Sequence, residues 1–167
     1  MKRFLLPGVL LLCLMSAQMA RAAENRNAKI KAEMVENYLL WQEAYKTPDA
    51  ERIISFESPD FTHISDVGKV SSKDENDQTL REGMIQIYKA HNVRIDIKKL
   101  NIEQNRVVVW SKHYFDGDLI DPQKKLHRVV FVRSTKDIWV QYDEVWMLKR
   151  VEELGSKWVV DGKPITS

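Results

Sequence analysis

The sequence is poor in the residues that stabilise or mark the commonest exported and catalytic folds. Its 167 residues include one cysteine, Cys13, so core packing rather than an internal disulfide must hold the fold. It has no Asn-x-Ser/Thr glycosylation acceptor, no Gly-x-Ser-x-Gly elbow, no phosphate-binding loop and no dinucleotide-binding glycine pattern. The chain therefore carries no motif of a nucleophile-elbow hydrolase or of a nucleotide-binding enzyme.

An excess of one charge is also absent. The chain has 26 Lys and Arg residues against 24 Asp and Glu residues. Lys2, Arg3 and Arg21 lie in the first 22 residues, which contain no acid, so the remainder has a formal charge of −1. This balance gives no argument for a polyanionic partner, and we expect no nucleic acid to bind.

The N-terminus has the three parts of a secretory signal peptide. Lys2 and Arg3 precede an apolar run from Phe4 to Met15, and Ala20-Arg21-Ala22 supplies a small-x-small cleavage pattern. We expect residues 1–22 to be removed and a single domain, residues 23–167, to reach the periplasm or the medium. The alternatives are a retained signal anchor and a lipoprotein attached through Cys13. Because the apolar run is short for a membrane span, we expect no stable membrane insertion after cleavage.

Helical patterns dominate the first half of the chain. A three-to-four spacing of apolar residues predicts a first helix over residues 24–46, which Pro48 closes. A short second helix is predicted from Asp49 to Phe56. Ser72 and Glu75 form a capping-box pattern for a third helix, which is predicted to end at His91. The apolar stripe of the first helix consists of Ile30, Met34, Tyr38, Trp41 and Tyr45.

Strand patterns dominate the second half. A short strand is predicted over residues 60–65, followed by a turn at Asp66–Lys69 in which Gly68 supplies a positive φ. From Val93 onward apolar and polar residues alternate, as in a half-buried antiparallel strand. Gly155-Ser156 is predicted to turn the last hairpin. The other strand candidates are residues 106–115, 126–134, 144–151 and 157–160. The order predicts an α+β cone, with three N-terminal helices packed on a curled antiparallel sheet.

Particular segments resemble the nuclear-transport-factor-2-like superfamily, more narrowly its SnoaL-like and DUF4440-type bacterial members. They are Phe61–Gly68, Ser72–Glu75 and the hairpin from Trp146 to Trp158. The resemblance covers residues 28–163 and implies a cystatin/NTF2-like cone around a cavity. One segment departs from the pattern: residues 126–134 add a strand candidate, either part of a long bent strand or an insertion at the sheet edge.

The resemblance also implies candidate catalytic residues. On the family pattern the first strand points into the mouth of the cone, and Asp66 lies near the position where acid–base members keep a carboxylate. His63 would orient a ligand or shuttle a proton, and Tyr38 would stabilise an enolate oxygen. The alternatives are that Asp66 shapes its turn, that His63 belongs to the pocket wall, and that Tyr38 is a core residue.

Further aromatic and histidine residues are candidates for a pocket wall: Trp41, Tyr45, His113 and Trp146. Strand histidines could in principle meet at a metal, but no close spacing such as His-x-His occurs, and we predict no metal and no cofactor. Aromatic residues on the outer face of the sheet would instead form a homodimer contact.

These patterns predict an exported domain whose cavity holds a small, largely apolar molecule. One alternative is a ketosteroid isomerase-like or polyketide cyclase-like enzyme that uses a pocket carboxylate or histidine as acid and base. The other is a dimerising interaction module.

Overall fold

The computed structural model describes residues 7–165, which divide into two compact units. Residues up to Met34 belong to the first unit and residues from Val35 onward to the second. The first unit is helical, and all strands lie in the second. The predicted signal peptide falls partly on residues 1–6, outside the described part. No helix within residues 7–165 combines the length and apolarity needed to span a bilayer.

The described part of the chain contains three helices. α1 is Pro7–Lys46, α2 is Ala50–Ile54 and α3 is Lys73–Gln86. The predicted capping box of α3 is confirmed, because the Ser72 side chain accepts from the Glu75 backbone and Glu75 Oε2 accepts from Ser72 N at 2.8 Å. α3 does not continue to His91, because a strand begins at Ile87. α1 begins 17 residues before the predicted start, within the predicted signal peptide.

Between residues 7 and 165, seven strands form one mixed sheet. They are β1 (Glu57–Ile64), β2 (Val70–Ser72), β3 (Ile87–Ile102), β4 (Arg106–Ile120), β5 (Leu126–Tyr142), β6 (Val145–Val160) and β7 (Lys163–Ile165). Their order is β2-β1-β6-β5-β4-β3, with β7 also paired to β6.

The antiparallel prediction for the sheet is wrong at one pairing. β1 runs parallel to β6, whereas the other pairings are antiparallel. Alternation of apolar residues predicts a strand but not the direction of its neighbour, so the pattern could not show this pairing. β1 and β2 lie between α2 and α3, where the sequence predicts a short strand and a turn.

The segment 126–134 is the first half of one long strand. β5 lies inside the sheet between β4 and β6, and its register with β4 is unbroken from Ile120↔Leu126 to Arg106↔Val140. The alternative of an insertion at the sheet edge is therefore excluded.

The predicted hairpin at Gly155-Ser156 is wrong, because β6 runs through both residues. Gly155 instead lies at a bulge, where the pairing with β5 shifts between Ser134 and Thr135. Its φ is 150°, a conformation that residues with a side chain rarely adopt. The turns lie at the two ends of β6 instead. Asp143 and Glu144 form the turn before it, Asp161 and Gly162 form the turn after it, and all four residues have positive φ. Such paired positive φ values are typical of two-residue type I′ hairpins.

The bulge changes which residues of β6 face the helices. On the C-terminal side, Ser156 and Trp158 line the cavity described below; on the other side, Glu153 lines it and Val151 is buried. Even-numbered residues therefore face inward after the bulge. Before it, odd-numbered residues face inward only as far back as Val151, because a second register shift between Leu148 and Arg150 puts the even-numbered Leu148 on the buried side. One extra residue in a strand produces this change of parity.

We expect Gly155→Ala to lower the free energy of unfolding by about 1–3 kcal/mol, because a Cβ strains the backbone at this φ. Gly83→Ala is the matched control. An added Cβ meets no heavy atom within 4 Å at either glycine, and only Gly155 has the unusual φ. In the interior of α3, Gly83→Ala should raise stability by about 0.5–1 kcal/mol. Urea unfolding measures both, and equal effects of the two substitutions would contradict the strain.

Candidate ligand-binding cavity

A cavity lies between α3 and the inner face of the sheet. Its volume is about 510 Å³, within the range of small-molecule sites. α3 contributes residues at helical spacing, from Asn76 through Leu80 and Gly83 to Met84. These positions share one face of the helix, so a side chain added at Gly83 would also stand on the cavity side.

One half of the cavity wall is apolar and aromatic. Phe115, Phe131 and Trp158 lie directly opposite one another on β4, β5 and β6. Their ring centroids are 5.2 Å and 4.8 Å apart, and both pairs are stacked. Because cross-strand neighbours on one face pack side by side, the three rings form a continuous wall.

The other half is polar and centres on Glu153. Arg133 Nη1 lies 3.2 Å from Glu153 Oε1, and His63 Nε2 lies 3.3 Å from the same oxygen. Arg133 Nη2 donates to Tyr45 Oη at 3.0 Å. β1, β5, β6 and the end of α1 each supply one of these four side chains, and all four line the cavity.

These contacts keep the carboxylate of Glu153 ionised. Burial would raise its pKa, but the hydrogen bond from His63 and the charge of Arg133 outweigh burial and hold the pKa below its usual value. An ionised carboxylate only accepts hydrogen bonds, so Nε2 of His63 carries a proton in this contact, and in the neutral form of the ring Nδ1 is the basic nitrogen. A histidine oriented by a carboxylate is the arrangement that general bases use.

Solved structures share this architecture. A conserved protein from Planctomyces limnophilus aligns with a TM-score of 0.64 at 12% identity, over 83% of this chain and 99% of its own. A nuclear transport factor 2-like (NTF2-like) superfamily protein from Salmonella enterica gives 0.62 at 13% identity, over 77% and 92%. A putative dehydratase of the NTF2-like family from Streptomyces avermitilis gives 0.58 at 11% identity, over 73% and 93%.

This chain has the NTF2-like fold. No protein-family model matches the sequence, and no curated protein matches it. At these identities the structural likeness establishes the fold alone, and the narrower SnoaL-like and DUF4440-type assignment stays a prediction.

Within the NTF2-like fold, His63 and Tyr45 line the cavity, but Asp66 does not. Asp66 is exposed in the β1–β2 turn, and its carboxylate accepts from Ser156 Oγ at 2.7 Å. The prediction that Asp66 is the cavity carboxylate is therefore wrong. Glu153 is the carboxylate that lines the cavity. Nothing in the sequence distinguishes Glu153 from its neighbour Glu152, because the bulge decides which of the two faces inward.

Tyr38 and His113 belong to a separate buried network. Tyr38 donates to Asp137 Oδ2, and Ser111 Oγ donates to the same oxygen at 3.1 Å. Ser111 Oγ also lies 2.9 Å from His113 Nε2. Tyr38 and His113 are each 2% exposed and neither lines the cavity, so the three predicted catalytic residues do not meet.

The two remaining residues predicted for the pocket wall, Trp41 and Trp146, do not line the cavity. Trp41 packs edge-on against His113 and lines only a neighbouring space of about 50 Å³, which Tyr45 and His63 also border. Trp146 is buried on β6 but is not part of the cavity wall. Sequence reasoning missed Phe115 and Phe131. Counting alternate residues along their strands from His113 and Arg133 would have placed them on the inner face.

Two further predictions concern a metal and a dimer. Within residues 7–165, no group of three or more His, Cys, Asp or Glu side chains is arranged to hold a metal. The outer face of β4 carries Trp110 and Tyr114, both partly exposed, with Lys99 Nζ 4.7 Å from the Trp110 ring centroid. The homodimer through the sheet stays a prediction.

The buried network should make stability depend on pH. Burial raises the pKa of Asp137 to about 6, although the hydrogen bonds from Tyr38, Thr135 and Ser111 act in the opposite direction and lower it. An unfolded aspartic acid titrates near pH ~4, so between these values the folded state holds the extra proton and stability falls as pH rises. Asp137→Asn removes this titration. The stability of wild type relative to the variant should fall by up to roughly 1.4 kcal/mol per pH unit from about pH 4 to 6. Urea unfolding across this range measures it, and parallel curves would contradict the shift.

Proposed function

We propose that this protein is an exported NTF2-like domain that binds a small, largely apolar molecule in the cavity. The aromatic wall formed by Phe115, Phe131 and Trp158 is the observation that carries the proposal. A wall of this kind, beside a few convergent polar groups, is the usual composition of a ligand site. The polar groups of Arg133 and Glu153 already bond to each other, so most of the gain on binding would come from covering the apolar wall.

Export is supported by the sequence of the first 22 residues. A charged start, an apolar run and the Ala20-Arg21-Ala22 pattern are the features of a cleavable leader. The domain from residue 23 onward has no cysteine and so needs no disulfide to fold after export.

Native mass spectrometry of the protein from its own host tests both parts of this proposal. In the extracytoplasmic fraction we expect a chain that starts at Ala23 and an additional mass for a bound small molecule. The full-length mass in the cytoplasmic fraction would contradict export. A mature chain without any adduct, even after gentle ionisation, would count against a tightly held natural ligand.

Filling the cavity is the matched test of where the ligand binds. Gly83→Phe should place a ring in open space on the cavity side of α3 and abolish the adduct. Gly83→Ala makes the same change of helix propensity with little added volume, and it should retain the adduct. Retention by both variants would place the ligand elsewhere.

The second candidate is an enzyme that moves a proton next to a carbonyl group, as an isomerase-like or cyclase-like protein would. The bond between His63 and Glu153 inside the cavity favours it, because it leaves Nδ1 of His63 as a base. Tyr45 Oη accepts from Arg133, so its own proton remains to stabilise an oxyanion. The putative dehydratase from Streptomyces avermitilis shares the fold but does not by itself assign a reaction here.

Deuterium exchange distinguishes this candidate from simple binding. We expect the recovered ligand to take up deuterium next to its carbonyl group in deuterium oxide when the protein is present. His63→Gln should slow this exchange by about 10²- to 10⁴-fold while ligand affinity changes little. His91→Gln is the control, because His91 bonds to Asp118 and is not part of the cavity wall. No exchange above background with wild type would exclude the enzyme.

A further inference from the structure

The cavity wall carries more cationic than anionic groups. The Lys, Arg, Asp and Glu side chains of the wall are Lys69, Arg133 and Glu153. Their formal charges sum to one positive charge, without counting any proton on His63. We propose that the occupant is an anionic amphiphile, with a carboxylate or similar group at the polar half and its apolar body against the aromatic half. This proposal rests on the ligand-binding function above and names the chemical class of the ligand.

The single carboxylate of the wall is already neutralised. Glu153 Oε1 contacts both Arg133 and His63, at 3.2 Å and 3.3 Å. A cationic ligand would have to compete with a built-in guanidinium for this carboxylate. It would also leave that guanidinium in a largely buried site without its partner, which is costly.

The second cation, Lys69, stands in the β1–β2 turn at the edge of the cavity. Within residues 7–165 its ammonium group makes no ion pair or hydrogen bond within bonding distance. Its charge acts on Glu75, but that carboxylate is held by Ser72 in the capping box of α3. Asp66 of the same turn bonds to Ser156. Neither Asp66 nor Glu75 is part of the wall, so Lys69 is the charged side chain of this turn that lines the cavity.

The polar half also offers more donors than acceptors. The guanidinium of Arg133 has five N–H groups, of which the contacts with Glu153 and Tyr45 use two. Tyr45 accepts one of these bonds and keeps its own proton, and Ser65 and Ser71 add hydroxyl groups. A carboxylate only accepts hydrogen bonds, so it complements this set, whereas an amine does not.

Two fluorescent probes that differ by one charged group test the proposal. N-phenyl-1-naphthylamine is neutral, and 1-anilinonaphthalene-8-sulfonate is the same N-phenylnaphthylamine skeleton with a sulfonate, so only the anion should gain from Lys69 and Arg133. In wild type we expect the sulfonate to bind at least as tightly as the more apolar neutral probe, and added salt to weaken the sulfonate alone. Decanoate should displace the sulfonate at lower concentration than decanol.

Lys69→Gln is the informative variant, because Lys69 is exposed and its loss leaves no buried charge unpaired. It should raise the Kd of the sulfonate by roughly threefold to fivefold and leave that of the neutral probe unchanged. Lys112→Gln removes one charge from the opposite face of β4, where Lys112 is exposed between the buried Ser111 and His113, and should change neither. Gly83→Phe should abolish binding of both probes.

Each contrary result has a defined meaning. Tighter binding of the neutral probe, an unchanged Kd of the sulfonate in Lys69→Gln, or stronger displacement by decanol would overturn the anionic preference while leaving the ligand-binding function intact. Absence of binding by both probes, or binding that persists in Gly83→Phe, would overturn the ligand-binding function itself and the preference with it.

Discussion

The bulge at Gly155 is the constraint on which the cavity depends. Along a regular strand, side chains alternate between faces, so Glu153 and Ser156 would point to opposite sides of β6. The extra residue at the bulge brings both onto the inner face, together with Trp158. The polar and aromatic halves of the wall therefore meet along one strand because a glycine at φ 150° can occupy this position.

Electrostatic balance then fixes how the polar half is built. Arg133 is largely buried, and a lone guanidinium there would be unstable. Glu153 compensates it from β6, and Tyr45 adds an acceptor from α1. Asp137, four residues further along β5 and on the same face, adds a second negative charge that acts on Arg133 from the buried network. Two carboxylates thus balance the charge of Arg133, but only Glu153 contacts the guanidinium and lines the cavity.

Patterns among neighbouring residues predicted local structure correctly. They failed for features that depend on pairing between strands far apart in the sequence. The Ser72–Glu75 capping box, the positive φ of Gly68 and the alternation from Val93 are properties of a few neighbouring residues, and each is found in the structure. The order of elements was enough to indicate the fold. The direction of β1 beside β6 depends on residues some 90 positions apart, and alternation carries no information about it. The role of Gly155 was misjudged because a glycine that suits a turn also suits a bulge.

A comparison of the His113 network with the His63–Glu153 pair shows how burial decides which histidine can act on a ligand. His113 and Asp137 share Ser111 as a hydrogen-bond partner, and the network is closed by Tyr38 from α1. Burial lowers the pKa of His113 well below its usual value, so it stays neutral and serves packing and hydrogen bonding. His63 contacts its carboxylate directly, and it faces a space large enough for a small molecule. The sequence presents both histidines on strands in similar surroundings. Only the fold, through the positions of α1 and of the β6 bulge, separates a sealed cluster from an open one.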